Sequence, residues 1–208
     1  VWQLRMNWYA YRSVQLCNIM KAEFGDQASR VKCALGGQAS SYTVSEWALS
    51  CDLARNELGG KCSKFVDALA IGPYFGYYLG AAAHAGTVND WPNEPDGGMD
   101  KVFRELTGTD AAGNPVTPPL YTPSSETPKA GAIADAKQWI VDSKKLATAH
   151  GVSLIAYESG QHLITYQGGA VQKMFTEANR HPRMGAAMAR HIEDWKAAGG
   201  ELFVPYSY

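Results

Sequence analysis

An α/β protein with parallel strands is the fold class this sequence predicts, on three observations. Apolar runs and longer helical patterns alternate: a helix, then strand followed by helix three times, then a last strand. The apolar runs are short and are punctuated by glycine or proline, as in Leu35-Gly36-Gly37 and Ile71-Gly72-Pro73. The chain has 208 residues, 46% of them hydrophobic, enough for one ordinary domain with a sizeable core.

Residues 1–24 read as helix, with Leu16, Ile19, Met20 and Phe24 at helical spacing and Gly25 as the stop. Arg30 to Gly37 is a short strand leading into Gln38, Ala39 and Ser40. Thr43 opens a T-x-x-E capping box with Glu46, and the helix through Trp47, Leu49 and Leu53 ends near Gly59-Gly60. Asp67 to Tyr74 is the second strand. Residues 75–128 form a long irregular segment rich in Gly, Pro, Asn and Thr, with one helical piece from Met99 to Leu106. A loop of that length in a compact domain is functional or disordered, and Tyr77, Tyr78, Trp91 and Tyr121 favour function.

A further helix carries Ile133, Ala136, Ile140 and Ala147 on one face and stops at Gly151. The apolar run from Val152 then reads as a buried strand that ends on Glu158-Ser159-Gly160-Gln161-His162. Met184, Met188, Ile192 and Trp195 make a helical stripe that is core rather than a cofactor box. Leu202 to Tyr206 is the last strand. Four such strands have two homes, an open doubly wound sheet or part of an eight-stranded barrel; the lack of a G-x-G-x-x-G or P-loop motif weakens the nucleotide-binding version.

A formal net charge of −1 without a Lys/Arg cluster argues against nucleic acid or an anionic membrane as partner. The charge-free run Ala68–Ala83 contains three glycines and a proline and is too short to span a bilayer comfortably. No signal peptide is legible, and the opening helical pattern reads as an internal or processed start. Cys17, Cys33, Cys51 and Cys62 show no zinc spacing. Cys51 and Cys62 flank a helix-to-loop segment that can bridge them, which leaves Cys17 for Cys33; four buried free thiols are the alternative, and two disulfides imply a secreted or periplasmic protein.

Glu158 is the candidate that chemistry singles out. A carboxylate where a strand gives way to a glycine-containing loop is costly unless it is used or paired. The other titratable groups read as structural: His150 at a helix end, His181 and His191 within helix, Asp90 and Asp96 as turn formers. Ser159 sits in E-S-G rather than G-x-S-x-G, so a serine-hydrolase elbow does not fit.

Three strand ends, Gly72-Pro73-Tyr74, Tyr157-Glu158-Ser159-Gly160 and Pro205-Tyr206, resemble the second half of a clan A retaining glycoside hydrolase. The Y-E-S-G-Q-H-L and I-G-P-Y-F-G runs are also similar to bacterial proteins described as glycosidase-like or cellulose-binding. The resemblance implies a parallel (β/α)8 TIM-type barrel of which residues 1–208, as one domain, supply about strands five to eight, with residues 75–128 looped over the cleft. It implies Glu158 as nucleophile, Tyr74 as its hydrogen-bond partner, Gln38 and Gln161 as sugar-hydroxyl contacts, and His84, Trp91, His162 and Tyr206 as cleft lining. The substrate would be a carbohydrate, with neither metal nor cofactor.

The clan's second carboxyl, a Glu after Asn at the end of strand four, would lie before Val1. The two Asn-Glu pairs present, Asn56-Glu57 and Asn93-Glu94, follow no apolar strand. Half a barrel also leaves sheet edges and apolar faces uncovered, so a preceding segment or another chain would have to complete it. A carbohydrate-binding module or inactive barrel is the alternative, and an open-sheet enzyme unrelated to sugars the third.

Overall fold

The computed structural model describes residues 1–124, 126–165 and 168–206. Its elements run α1 (Trp2–Phe24), β1 (Ala34–Gly36), α2 (Tyr42–Ser50), α3 (Arg55–Leu58), β2 (Ala68–Ile71), α4 (Ala85–Val88), α5 (Met99–Thr107), α6 (Ala132–Ala149), β3 (Ser153–Ser159), α7 (Gly169–Arg180), α8 (Pro182–Ala197) and β4 (Phe203–Pro205), with 3₁₀ turns between them. The chain divides into two compact units, the first Val1–Pro73, Trp139–Ser159 and Trp195–Tyr206, the second Tyr74–Gln138 and Gly160–Asp194.

The first unit holds the sheet. Its four strands are parallel and lie in the order β1-β2-β3-β4. Parallel strands in sequential order come from crossovers of one hand, which lay the connecting helices on one face. Burial agrees: Leu35, Leu69, Ile71, Leu154 and Ala156 alternate onto a covered face with Val14, Leu49, Ile140 and Trp195. Their register neighbours on the other face, Ala34, Gly36 and Ile155, remain partly open.

This corrects the barrel expectation. Among the described residues the sheet has four strands and two edges, and it does not close into an eight-stranded (β/α)8 barrel. Closure needs a full ring of tilted, staggered strands, and β1 and β4 are only three residues each. One edge is managed locally: Tyr9 on α1 accepts the outward N–H of Gly36 on β1 at 2.7 Å.

Helix α1 is the other departure. Leu16, Ile19, Met20 and Phe24 fixed its period, but these residues are 59%, 58%, 52% and 47% exposed. The buried face is Asn7, Ala10, Val14 and Cys17. Asn7 decides the docking, because its amide donates to the Trp47 carbonyl at 2.8 Å and accepts the Leu53 N–H at 2.9 Å. A buried amide satisfied on both sides fixes one rotation of the helix.

Helix α2 begins two residues before the expected box. Ser41 is the N-cap and accepts from the Val44 N–H, while Glu46 turns to His150 instead. The helix stops at Cys51, whose left-handed φ of 35° turns the chain toward Cys62. Both disulfides expected from the cysteine spacing are formed, Cys17–Cys33 and Cys51–Cys62, with Cα separations of 6.0 and 5.7 Å. Asp67, just before β2, clamps the start of the sheet. Its carboxylate accepts the Cys33 N–H at 2.8 Å, and its own N–H donates to the Cys33 carbonyl at 2.7 Å. The Cys33 N–H donated to it, with Lys21 and Lys32 nearby, holds the Asp67 carboxyl below its ordinary range.

The second unit packs Phe75, Leu79, Trp91, Phe103, Leu106, Ile133 and Phe175 inside it. The long segment expected at 75–128 is broken by α4, α5 and several 3₁₀ turns, and α5 covers the predicted Met99–Leu106 piece. Gly80 shows how closely its chains approach: a Cβ there would lie 1.7 Å from the Ile164 carbonyl oxygen.

The disulfides give a direct test. Alkylation of the denatured, unreduced protein should label no thiol, and four after reduction, read by intact mass. Replacing both Cys51 and Cys62 by alanine should lower the unfolding free energy by about 3 kcal/mol, as expected for a short closed loop; thiols titrating before reduction would contradict the pairing.

Candidate functional site

Parallel strands end together, so the first unit gathers its strand C-termini on one rim: Gly36, Ile71, Ser159 and Pro205. Pairing between β3 and β4 slips there. Ala156 pairs with Phe203 but Ser159 with Pro205, so β3 advances three residues while β4 advances two. The extra residue is a β-bulge in which Tyr157 and Glu158 together oppose Val204. The residue after the bulge is pinned twice: the Ser159 hydroxyl donates to the Pro73 carbonyl at 3.1 Å, and the Tyr206 N–H donates to the Ser159 carbonyl at 2.7 Å. Ser159 is therefore a buried anchor of the rim.

Glu158 is half-buried and Tyr157 is 51% exposed. Continuing the β2–β3 register past Ile71 and Ala156 sets Gly72 beside Tyr157, and a Cβ on Gly72 would lie 3.2 Å from the phenol oxygen. A side chain at residue 72 would displace that ring. Tyr9 stands over Gly36 in the same way, with 3.0 Å to the corresponding Cβ. Burial first, then the negative charge of Glu158 and the phenol of Tyr9, push the Tyr157 hydroxyl above its ordinary value, so it stays a proton donor at neutral pH.

Of the predicted site residues, Gln38, Glu158 and Tyr206 share this unit, at or just after the ends of β1, β3 and β4. Gln38 is exposed, and Tyr206 is 46% exposed. Tyr74, His84, Trp91, Gln161 and His162 belong to the second unit. There the Tyr74 and His162 rings meet with centroids 5.4 Å apart, and His84 stands edge-on to Tyr78. Trp91 does not line a cleft: it is 1% exposed and a ring of that unit's core. Gln161 is buried, and its side-chain oxygen takes the Leu163 N–H at 2.6 Å. Neither Asn-Glu pair follows a described strand. Glu57 lies on α3 and interacts with Tyr11, and Glu94 pairs with Lys101 at 2.5 Å. Of the four strand C-termini, only that of β3 carries a carboxylate.

Tyr9 and Tyr157 were not singled out from sequence. Tyr157 was legible in principle, as the residue before Glu158 in an apolar strand. Tyr9 was not, because its partner Gly36 is 27 residues away.

Two other clusters have the ingredients of chemistry. In the first unit Glu46, His150 and Ser63 form a chain, with His150 Nε2 2.9 Å from the Glu46 carboxylate and Nδ1 3.2 Å from the Ser63 hydroxyl. The connectivity is that of a nucleophile, base and acid, but Ser63 is 6% exposed and the His150 side chain 5%. A substrate carbonyl has no approach, and the chain works as a staple between α2, the turn at Cys62–Phe65 and the end of α6. In the second unit Glu105 is fully enclosed. It accepts from the Tyr78 hydroxyl at 2.8 Å and from the Leu120 N–H, while Thr127 donates to the Leu120 carbonyl at 2.9 Å. Burial outweighs those two donors and raises the Glu105 carboxyl above its ordinary value.

No protein family, curated protein or solved structure was found that matches this chain.

Glu105 makes stability depend on pH in a definite sense. Its folded pKa lies above the ordinary 4.5, so above that pH the folded state holds a proton that the unfolded state has released. Stability therefore falls as pH rises from about 4.5 through the raised value. Denaturant titrations from pH 4 to 8 should show this decline in the wild type and a smaller one in Glu105→Gln. Glu105→Ala, which strands two buried donors, should cost about 2–5 kcal/mol at any pH.

Proposed function

We propose that this chain acts on glycans as a retaining glycoside hydrolase, with Glu158 as its nucleophile. The observation that carries the reading is the bulge: it holds a half-buried carboxylate at the C-terminal rim of a parallel sheet, next to the anchored Ser159 and flanked by an exposed phenol. The Glu158 carboxylate would attack the anomeric carbon as the bond to the leaving oxygen breaks, forming a glycosyl ester that water then hydrolyses. The proton for the leaving oxygen has to come from a group other than the four strand ends of this rim. The two disulfides fit an oxidising compartment, and the proposal places the protein outside the cytoplasm, with polysaccharide or oligosaccharide as substrate.

A second reading, glycan binding without cleavage, is favoured by the single carboxylate among the described residues of the four strand ends. Retaining cleavage needs two carboxyls about 5–5.5 Å apart, whereas binding needs none.

Activated 2,4-dinitrophenyl β-glycosides separate the two, because their leaving group departs without protonation. The wild type should release dinitrophenolate from at least one of them, and Glu158→Gln should lower kcat by on the order of 10³-fold or more with unfolding unchanged. Azide should partly rescue Glu158→Ala and yield the glycosyl azide of inverted configuration. Near-wild-type turnover by Glu158→Gln removes the assignment, and a wild type that binds oligosaccharides but cleaves no aryl glycoside establishes the second reading.

A further inference from the structure

The resemblance to clan A enzymes gives Glu158 a tyrosine from the preceding strand end, Tyr74. The geometry of the first unit points to another. We propose that Tyr157 is the substrate-contacting phenol of the Glu158 site, its hydroxyl donating a hydrogen bond to a hydroxyl of the sugar ring that Glu158 attacks. This rests on the glycosidase reading and names a residue that the resemblance does not.

Four observations lead there. Tyr157 adjoins Glu158 in the bulge, where two residues oppose one and the strand's alternation is interrupted, so both belong to the same short stretch of rim. The phenol is half open to solvent at 51%, and among the described residues its hydroxyl has no hydrogen-bond partner, so the donor is available to a ligand. The ring lies over Gly72, the position where a Cβ would come within 3.2 Å of the phenol oxygen; glycine is what lets the ring rest there. Tyr9 completes the arrangement. Anchored through the Gly36 N–H at 2.7 Å and 39% exposed, it brings a second phenol close enough to act on Tyr157 electrostatically.

The chemistry suits a sugar. A phenol offers one directional donor and an apolar ring edge, which match a hydroxyl and an adjoining C–H face of a pyranose. A donor beside the attacking carboxylate also meets the part of the substrate whose charge changes most, so its bond is strongest in the transition state and acts on kcat as well as KM.

The test uses 2,4-dinitrophenyl β-glycosides and their monodeoxy analogues, each lacking one ring hydroxyl. With the parent glycoside Tyr157→Phe should reduce kcat/KM by about 10-fold, with an unchanged thermal midpoint because the residue is exposed. With one particular monodeoxy glycoside, that lacking the contacted hydroxyl, Tyr157→Phe and the wild type should react equally. A merely structural role for Tyr157 would give the same ratio on every analogue, and that result, or an unaltered kcat/KM on the parent, overturns the proposal while leaving Glu158 in place. A wild type that cleaves no aryl glycoside, or a Glu158→Gln variant that remains active, overturns the glycosidase reading and this inference together.

Discussion

Everything in the first unit depends on the pairing of β2 with β3. Ala68 to Ile71 pair in unbroken register with Ser153 to Ala156, and all four residues of β2 are buried. Side chains alternate across a strand, so a slip of one residue would exchange Leu69, Ile71, Leu154 and Ala156 for their neighbours and turn the large apolar side chains off the helix-covered face. The register is fixed before the strands begin: Asp67 ties its carboxylate and N–H to Cys33, and its carbonyl accepts the Ser153 N–H at 3.0 Å. Strand starts are thus aligned at one edge of the sheet, and the irregularity falls at the other, where Tyr157 and Glu158 sit.

The helices around that sheet are held by a few polar and covalent ties more than by their own patterns. Helix α1 is apolar on nearly every side, and a helix of that kind has no preferred face until something selects one. Asn7 selects it, satisfied by α2 at one end of its amide and by the chain after Cys51 at the other. Cys17–Cys33 then fastens the same helix to the strand entrance, and Cys51–Cys62 holds the turn that receives Asn7. The same docking brings Tyr9 to the edge of β1, so the position of a rim phenol follows from a buried amide on the same helix.

Local signals were legible where the chain solves its problem locally. The alternation of strands and helices, the glycine stops at Gly25 and Gly151, the pairing of four cysteines and the short helix after Met99 all appear in the structure. Closure of the sheet was not legible, because parallel strands flanked by helices look alike in an open sheet and in a barrel, and here even the order of neighbours is the same; what differs is whether the outer strands go on to pair into a ring, and no local pattern encodes that. The capping box at Thr43 failed because Glu46 has a better partner in His150, 104 residues away. Trp91 failed for a related reason. An aromatic in a Gly- and Pro-rich stretch suggests a ligand platform, but short helical turns let that stretch fold over its own core and bury the ring at 1% exposure.

The two glutamates, Glu105 and Glu158, show why a perturbed carboxyl is not by itself a site. Glu105 carries the clear shift, yet it is fully enclosed and its oxygens are already taken by Tyr78 and Leu120. A raised pKa marks function only where a substrate can arrive; here it marks the cost of burying a carboxyl to hold a long loop. Glu158 has what Glu105 lacks. It is half-buried, set in a register shift beside the anchored Ser159, and placed at the C-terminal end of a parallel strand. Accessibility combined with fixed geometry, rather than electrostatic strain, is what separates a candidate nucleophile from a structural pin.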